Sequence, residues 1–516
     1  MDVLYPFLYA FRSFVMLLVG TFVAVLIYDY THKRRERNRP RLPPGPHPWP
    51  IVGNLLQVGA LPHCGMMNLT KIYGPVVYLQ LGNVPAVVTD DPSFVKEILK
   101  KQDHVFASRP KNIASEYFTY RNKDIAFAPY GSHWRKMRKI CTMELLTPKR
   151  LDYFQQGRIE EAQCLVRSIM EDHKLNKPIN LRDKLGALSS NNLTRMLLGK
   201  RFFGPGNAGP EDAAEYKKMI YEAFSLVNSF NMADYLPFLR PLDLQGHERR
   251  MQKIMKRSDE IYEAILAEHR KRGRKGLNET NTFIDVLLSL PGENGQECLC
   301  DETIKAIIGD MVAAGTDTSS ITSEWTLAEL MQHPEIMHKV RNEIDGVVGY
   351  ERVVEESDLD QFQYLRAVLK EVFRLHPVGA FLIPHVAIDD AEIAGRYHIP
   401  KNTRILINTY SLGRNPASWN RPLEFRPDRF LEKHVDLFDP EYRIVPFGAG
   451  RRGCPGASLG TSMVLLGLSR LIHSFEWSPP HGKSVKDIPM LQAFNSMILD
   501  EPLHLIATPR LKASLY

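Results

Sequence analysis

Ten residues near the C-terminus constrain this chain more than any other stretch. From Phe447 to Gly456 it reads Phe-Gly-Ala-Gly-Arg-Arg-Gly-Cys-Pro-Gly, a single cysteine, Cys454, among glycines and one proline. Gly448, Gly450, Gly453 and Gly456 permit positive-φ turns that bring backbone amides close to a sulfur, and Pro455 limits the chain just after it. Such a loop suits a metal-ligating thiolate, because amide hydrogen bonds to the sulfur tune how strongly it pushes electron density onto the ion. A buried structural thiol in a tight turn is the competing explanation.

The other cysteines, at 64, 141, 164, 298 and 300, have neither the density nor the pairing of a secreted disulfide scaffold, which points to a reducing compartment. Cys298-Leu-Cys300 lacks a second pair or a nearby histidine and is a loop feature rather than a zinc site. Of the formal net charge of +7, residues 1–41 carry +4. The basicity is therefore local, which fits a membrane-proximal patch and excludes a general nucleic-acid binder. Phe14 to Tyr28 contains no Asp, Glu, Lys or Arg, and Lys33, Arg34, Arg35, Arg37, Arg39 and Arg41 follow it. A cleaved signal peptide would carry its charges before the apolar run. The expectation is a transmembrane anchor over residues 1–30, a basic, Pro-rich hinge over 31–46, and one domain over 47–516 on the cytosolic side.

Val76–Leu81 and Ala86–Thr89 flank Gly82-Asn83 and predict a hairpin. Long helical patterns follow to about residue 375, then shorter extended segments around 381–409, so the class is mostly α with small β-sheets. Ile304, Ile307, Ile308, Met311, Val312 and Gly315 form one stripe of a long core helix that carries Ala314-Gly315-Thr316-Asp317-Thr318-Ser319. Small residues there let a flat or diatomic group approach the backbone, and a hydroxyl beside an acid offers a proton route. Elsewhere the same residues would mark a cap or a bend. Glu371 and Arg374, at i and i+3, meet on one helix face.

The loop matches Phe-x-x-Gly-x-Arg-x-Cys-x-Gly at every fixed position and resembles the haem signature of the cytochrome P450 superfamily. The resemblance implies a single haem-thiolate domain binding haem b, with Cys454 as the axial iron ligand. Phe447, Arg452, Trp134, Arg138 and His385 would be the other cofactor contacts, with Arg452, Arg138 and His385 toward the propionates. It further implies proton delivery by Thr318 and Asp317, and a buried structural triad of Glu371, Arg374 and Arg429, the last in Pro427-Asp428-Arg429-Phe430. Substrate walls would include Phe118, Arg121, Ala313, Phe381, Leu382 and Phe494. Arg121 or Lys123 would hold a substrate carboxylate, unless both are solvated loop charges.

Asn191–Lys200, Val286–Gly295, Phe381–His385 and Pro509–Tyr516 resemble plant in-chain hydroxylases of lauric-type fatty acids, microsomal enzymes of pollen and spore wall synthesis. Leu242–Gly246 resembles flavonoid hydroxylases instead, and Gly315 stands where the family often has Ala. No flavin or nicotinamide fingerprint is present. Electrons would therefore come from NADPH through a separate cytochrome P450 reductase, drawn to Arg135, Lys136 and Lys139, with the enzyme in the endoplasmic reticulum membrane and its substrate small and hydrophobic. The Asp317-Thr318 pair argues against a reductase-independent isomerase or dehydratase.

Overall fold

The computed structural model describes Met16 and residues 41–204, 210–272, 282–292, 298–432, 435–493 and 497–516. The expected anchor apart from Met16, most of the hinge and Phe494 lie outside these residues. Among the described residues no helix is long and apolar enough to cross a membrane.

The helices that frame the centre are α1 (Ile113–Phe118), α2 (Ser132–Ile140), α3 (Gln155–Lys174), α4 (Leu181–Leu198), α5 (His247–Lys271), α6 (Asp301–Gln332), α7 (Gln363–Leu375) and α8 (Ala457–Ser474). Asp301 and Glu302 place negative charge in the first turn of α6, where the helix dipole favours it. The helix ends at His333, before Pro334, which starts the next one. The predicted stripe is real at Ile304, Ile307, Ile308 and Val312, all buried, whereas Met311 and Gly315 are half-buried. Thr318, Thr322, Ser323 and Thr326 each donate to the carbonyl four residues back. A hydroxyl-rich helix can therefore run through an apolar core with these groups satisfied by its own backbone.

Strands β1 (Val76–Leu81) and β2 (Val84–Thr89) form the expected hairpin, with the second strand starting two residues earlier than read, at Val84. A short strand, β3 (Ile179–Asn180), precedes α4; β4 (His385–Val386), β5 (Ala391–Ile393), β6 (Tyr397–Ile399) and β7 (Arg404–Ile407) account for the extended region around 381–409. The largest sheet has the order β1-β2-β7-β4, with β2 and β7 parallel. Near the end of the chain, β8 (Phe475–Ser478) and β9 (His504–Pro509) pair antiparallel, and β3 joins β9.

Two large apolar clusters pack along α6. One gathers Met137, Leu197, Leu266 and the Ile304–Val312 part of the helix; the other gathers Leu165, Leu365, Leu471 and the part from Ile321 onward. Trp325 anchors the second: it is fully buried, donates to the Met497 carbonyl at 2.6 Å and stacks on His376 at 3.8 Å. Truncation to alanine would cost about 3–5 kcal/mol. Between the clusters, residues 313–320 belong to neither, and Ala314 is exposed in the middle of a core helix. The interior opens there.

Candidate active site

The cysteine loop is shaped by contacts that only glycine tolerates. Gly450 has φ +64°, and a Cβ on it would lie 2.0 Å from the Leu99 carbonyl oxygen. The Cys454 amide donates to the Phe447 carbonyl at 2.8 Å, closing the loop. The Gly456 amide donates to the Cys454 sulfur, as the glycine spacing predicts. Burial pushes the thiol up, while that amide and the Arg138 guanidinium oppose the shift. Phe447 packs edge-to-face on Phe373 of α7 at 5.3 Å, tying the loop to the core. Cys454 lies three residues before the start of α8 at Ala457.

On α6, the Thr318 hydroxyl donates to the Ala314 carbonyl at 2.5 Å and keeps its lone pairs for an incoming donor. Asp317 Oδ2 is buried without a hydrogen-bond partner, and burial raises the carboxyl to about 6. An acid near that value exchanges protons readily close to neutral pH. Ala313 is half-buried beside exposed Ala314. Gly315 has a different cause: a Cβ there would meet Leu193 Cδ1 of α4 at 2.6 Å. Its departure from the family's usual Ala therefore reflects helix packing.

Several of the basic groups also hold backbone carbonyls. Arg452 donates to the carbonyls of Ala107, Ile125 and Ala128 at 2.5, 3.1 and 2.5 Å and lies 4.3 Å over the Trp134 ring. The Trp134 indole N–H goes to the Ile125 carbonyl at 3.1 Å. Both side chains thus brace residues 125–128, because carbonyls of a buried loop need donors. His385 uses Nδ1 on the Phe106 carbonyl at 2.8 Å, and burial together with nearby Arg109 holds the ring neutral. Arg109 was not singled out by motif. It is buried, donates to the carbonyls of Ala126, Ile383 and Pro384, and falls to about 9 through burial and the charge of Arg452. Its partners are all backbone atoms, and no spacing rule announces them.

Buried Arg109 and half-buried Arg138 and Arg452 form no ion pair among the described residues, an unusual state for guanidinium groups drawn into the protein. A thiol with an amide donor, three such cations, an opening lined by Ala313 and Ala314, and an orphaned Asp317 oxygen together fit an iron porphyrin with its two carboxylates. Cys454 would hold the iron, and Arg138, Arg109 and Arg452 would balance the propionates. When bound, the porphyrin supplies the oxygen chemistry.

Glu371, Arg374 and Arg429 do meet. Arg374 pairs with both Glu371 oxygens at 2.7 Å, and Arg429 Nε reaches Oε1 at 3.1 Å. Both arginines also donate to backbone carbonyls between 413 and 424. Leu382 is 3.9 Å from a Cβ built on Gly448, so it adjoins the cysteine loop; Phe381 bridges to Asn408, and Phe118 packs on the apolar cluster of α2 and α5. Lys123 is ion-paired with Glu302, so it is neutralised as a carboxylate ligand, while Arg121 is exposed. On α2, Lys136 donates to the carbonyls of Pro291 and Gly292, and Arg135 lies over Tyr130.

A glycine-rich loop whose cysteine would hold an iron porphyrin, together with a hydroxyl and an acid on a core helix, fits a haem-thiolate monooxygenase. The chain belongs to the cytochrome P450 family, whose profile matches residues 43–506; members draw electrons from a redox partner and act on hydrophobic substrates. It is 46% identical over 514 residues to cytochrome P450 703A2 of Arabidopsis thaliana, covering 97% of this chain and 100% of that one. It is 39% identical over 507 residues to a flavonoid 3'-monooxygenase of Crocosmia x crocosmiiflora, covering 97% and 98%. A solved zebra fish cytochrome P450 with progesterone superposes with a TM-score of 0.74 at 28% identity, over 87% of this chain and 99% of that one.

Proposed function

We propose that this enzyme hydroxylates an in-chain methylene of medium-chain fatty acids of the lauric type, supplying monomers for a sporopollenin-type wall polymer. It takes electrons from NADPH through a separate reductase, at the endoplasmic reticulum membrane. The observation that carries the substrate class is the identity margin, 46% to the 703A2 chain against 39% to the flavonoid enzyme over similar coverage. The stretches at 191–200, 286–295, 381–385 and 509–516 that resemble the plant in-chain hydroxylases support it. Gly315, which left the substrate class open, is accounted for by Leu193. Of the two cations read as carboxylate ligands, Arg121 is the one without an ion pair among the described residues. A flavonoid substrate is the second possibility, favoured by the 39% relative.

The test offers medium-chain fatty acids and flavonoids side by side to the enzyme in reductase-supplemented membranes and locates the new hydroxyl by mass spectrometry. In-chain hydroxy fatty acids are the expected products. Hydroxylated flavonoids alone would retain the monooxygenase and discard the lipid substrate.

A further inference from the structure

The segment joining α1 to α2 is gripped from both sides. Its amides face carboxyl groups: Ile125 and Ala126 donate to Asp310 Oδ2 of α6 at 2.8 and 3.0 Å, and Phe127 donates to Asp124 Oδ2 at 2.7 Å. Its carbonyls face the groups described above: Ile125 accepts from Trp134 and Arg452, Ala126 from Arg109, and Ala128 from Arg452. Asp124 is wholly buried, and its carboxyl group and that of Asp310 take successive amides of the same three-residue turn, 125–127. Two carboxylates so placed in a dry site cannot both ionise. Hydrogen bonding distinguishes them. Asp310 Oδ2 already accepts two N–H groups, as an anion does, whereas Asp124 Oδ1 is buried and receives no donor. An oxygen that itself carries the proton is left in that state.

We propose that Asp124 and Asp310 act as one singly protonated pair, Asp124 donating to Asp310, and that the pair is a positioning device. It fixes residues 124–128 between α6 and the cysteine loop and, through their carbonyls, sets Arg109, Arg452 and Trp134 beside Cys454.

The groups facing the pair are the guanidinium groups of Arg109 and Arg452, the Tyr262 phenol of α5 and the Cys141 thiol that follows α2. Burial first, and the Asp310 charge second, hold Asp124 protonated well above the usual carboxylate range, while burial raises Asp310 to about 6. Alkaline pH removes the shared proton, sets two anions against each other and releases the amides of 125–127.

The test is hydrogen exchange of the peptide spanning residues 119–130 in the haem-loaded full chain from pH 7 to 10, normalised to the unfolded peptide at each pH. Asp124→Asn supplies a donor that cannot ionise; its protection should match the wild type within about twofold at pH 7 and persist to pH 10, where the wild type loses about tenfold. Asp124→Ala should lose about tenfold already at pH 7. Loss of protection in Asp124→Asn at pH 7, or one pH profile shared by it and the wild type, would overturn the proposal. The comparison of wild type with Asp124→Asn decides even if Asp124→Ala does not fold.

Discussion

Two buried polar regions flank the opening in the core, and they are built in opposite ways. Around Glu371, each carboxylate oxygen and both guanidinium groups have hydrogen-bond partners. On α6, Asp317 Oδ2 and Thr316 Oγ1 have none. A satisfied buried network is rigid and resists titration; an unsatisfied buried acid stores a proton it can exchange. The first region is built to hold the fold, and the second has the unpartnered acid that the proposed proton delivery requires.

The largest effect should come from breaking the satisfied side. Glu371→Ala leaves two guanidinium groups buried without their shared anion and should cost about 3–5 kcal/mol in denaturant unfolding, with loss of haem. The unsatisfied side should respond with the opposite sign. Because the folded protein holds the Asp317 proton up to about 6, it binds more protons than the unfolded chain between the ordinary carboxylate value and that pH. Stability therefore falls as pH rises through this window and stays low above it. Asp317→Asn should remove that slope and stabilise the protein above pH 7 by up to roughly 3 kcal/mol. A destabilised variant would show that the carboxylate has a partner in solution.

Smaller effects sharpen the boundary between packing and chemistry. Gly315→Ala should cost about 1–3 kcal/mol by crowding Leu193, and Leu193→Val should recover much of it, with the product profile unchanged. A changed product would move Gly315 into the substrate wall. Arg121→Gln should weaken fatty-acid binding several-fold, whereas Lys123→Gln, already paired with Glu302, should not. Equal effects from both would contradict the assignment of the carboxylate to Arg121.

What the sequence revealed follows from the range of each interaction. The glycine spacing around Cys454 and the i, i+3 pair at Glu371 and Arg374 are local, and both were legible. Arg429 was legible only through its resemblance to a family motif. The stripe on α6 was legible from Ile304 to Val312, with half-buried Met311 packed against the same cluster, and ended before Gly315, because the core divides near there. The partners of Arg452, Trp134 and Arg109 were not legible. Their acceptors are backbone carbonyls, which every residue carries, so no residue type marks them. Gly315 could not be explained without Leu193, which stands on another helix and contacts it only in three dimensions.

The most direct measurement of the contrast between the two regions is product formed per NADPH consumed across pH, for the wild type and Asp317→Asn. Coupling in the wild type should fall as pH rises past about 6, where Asp317 loses its proton, and should be low and flat in the variant. A variant that keeps both the wild-type coupling and its pH profile would contradict the assignment of proton transfer to this stretch of α6.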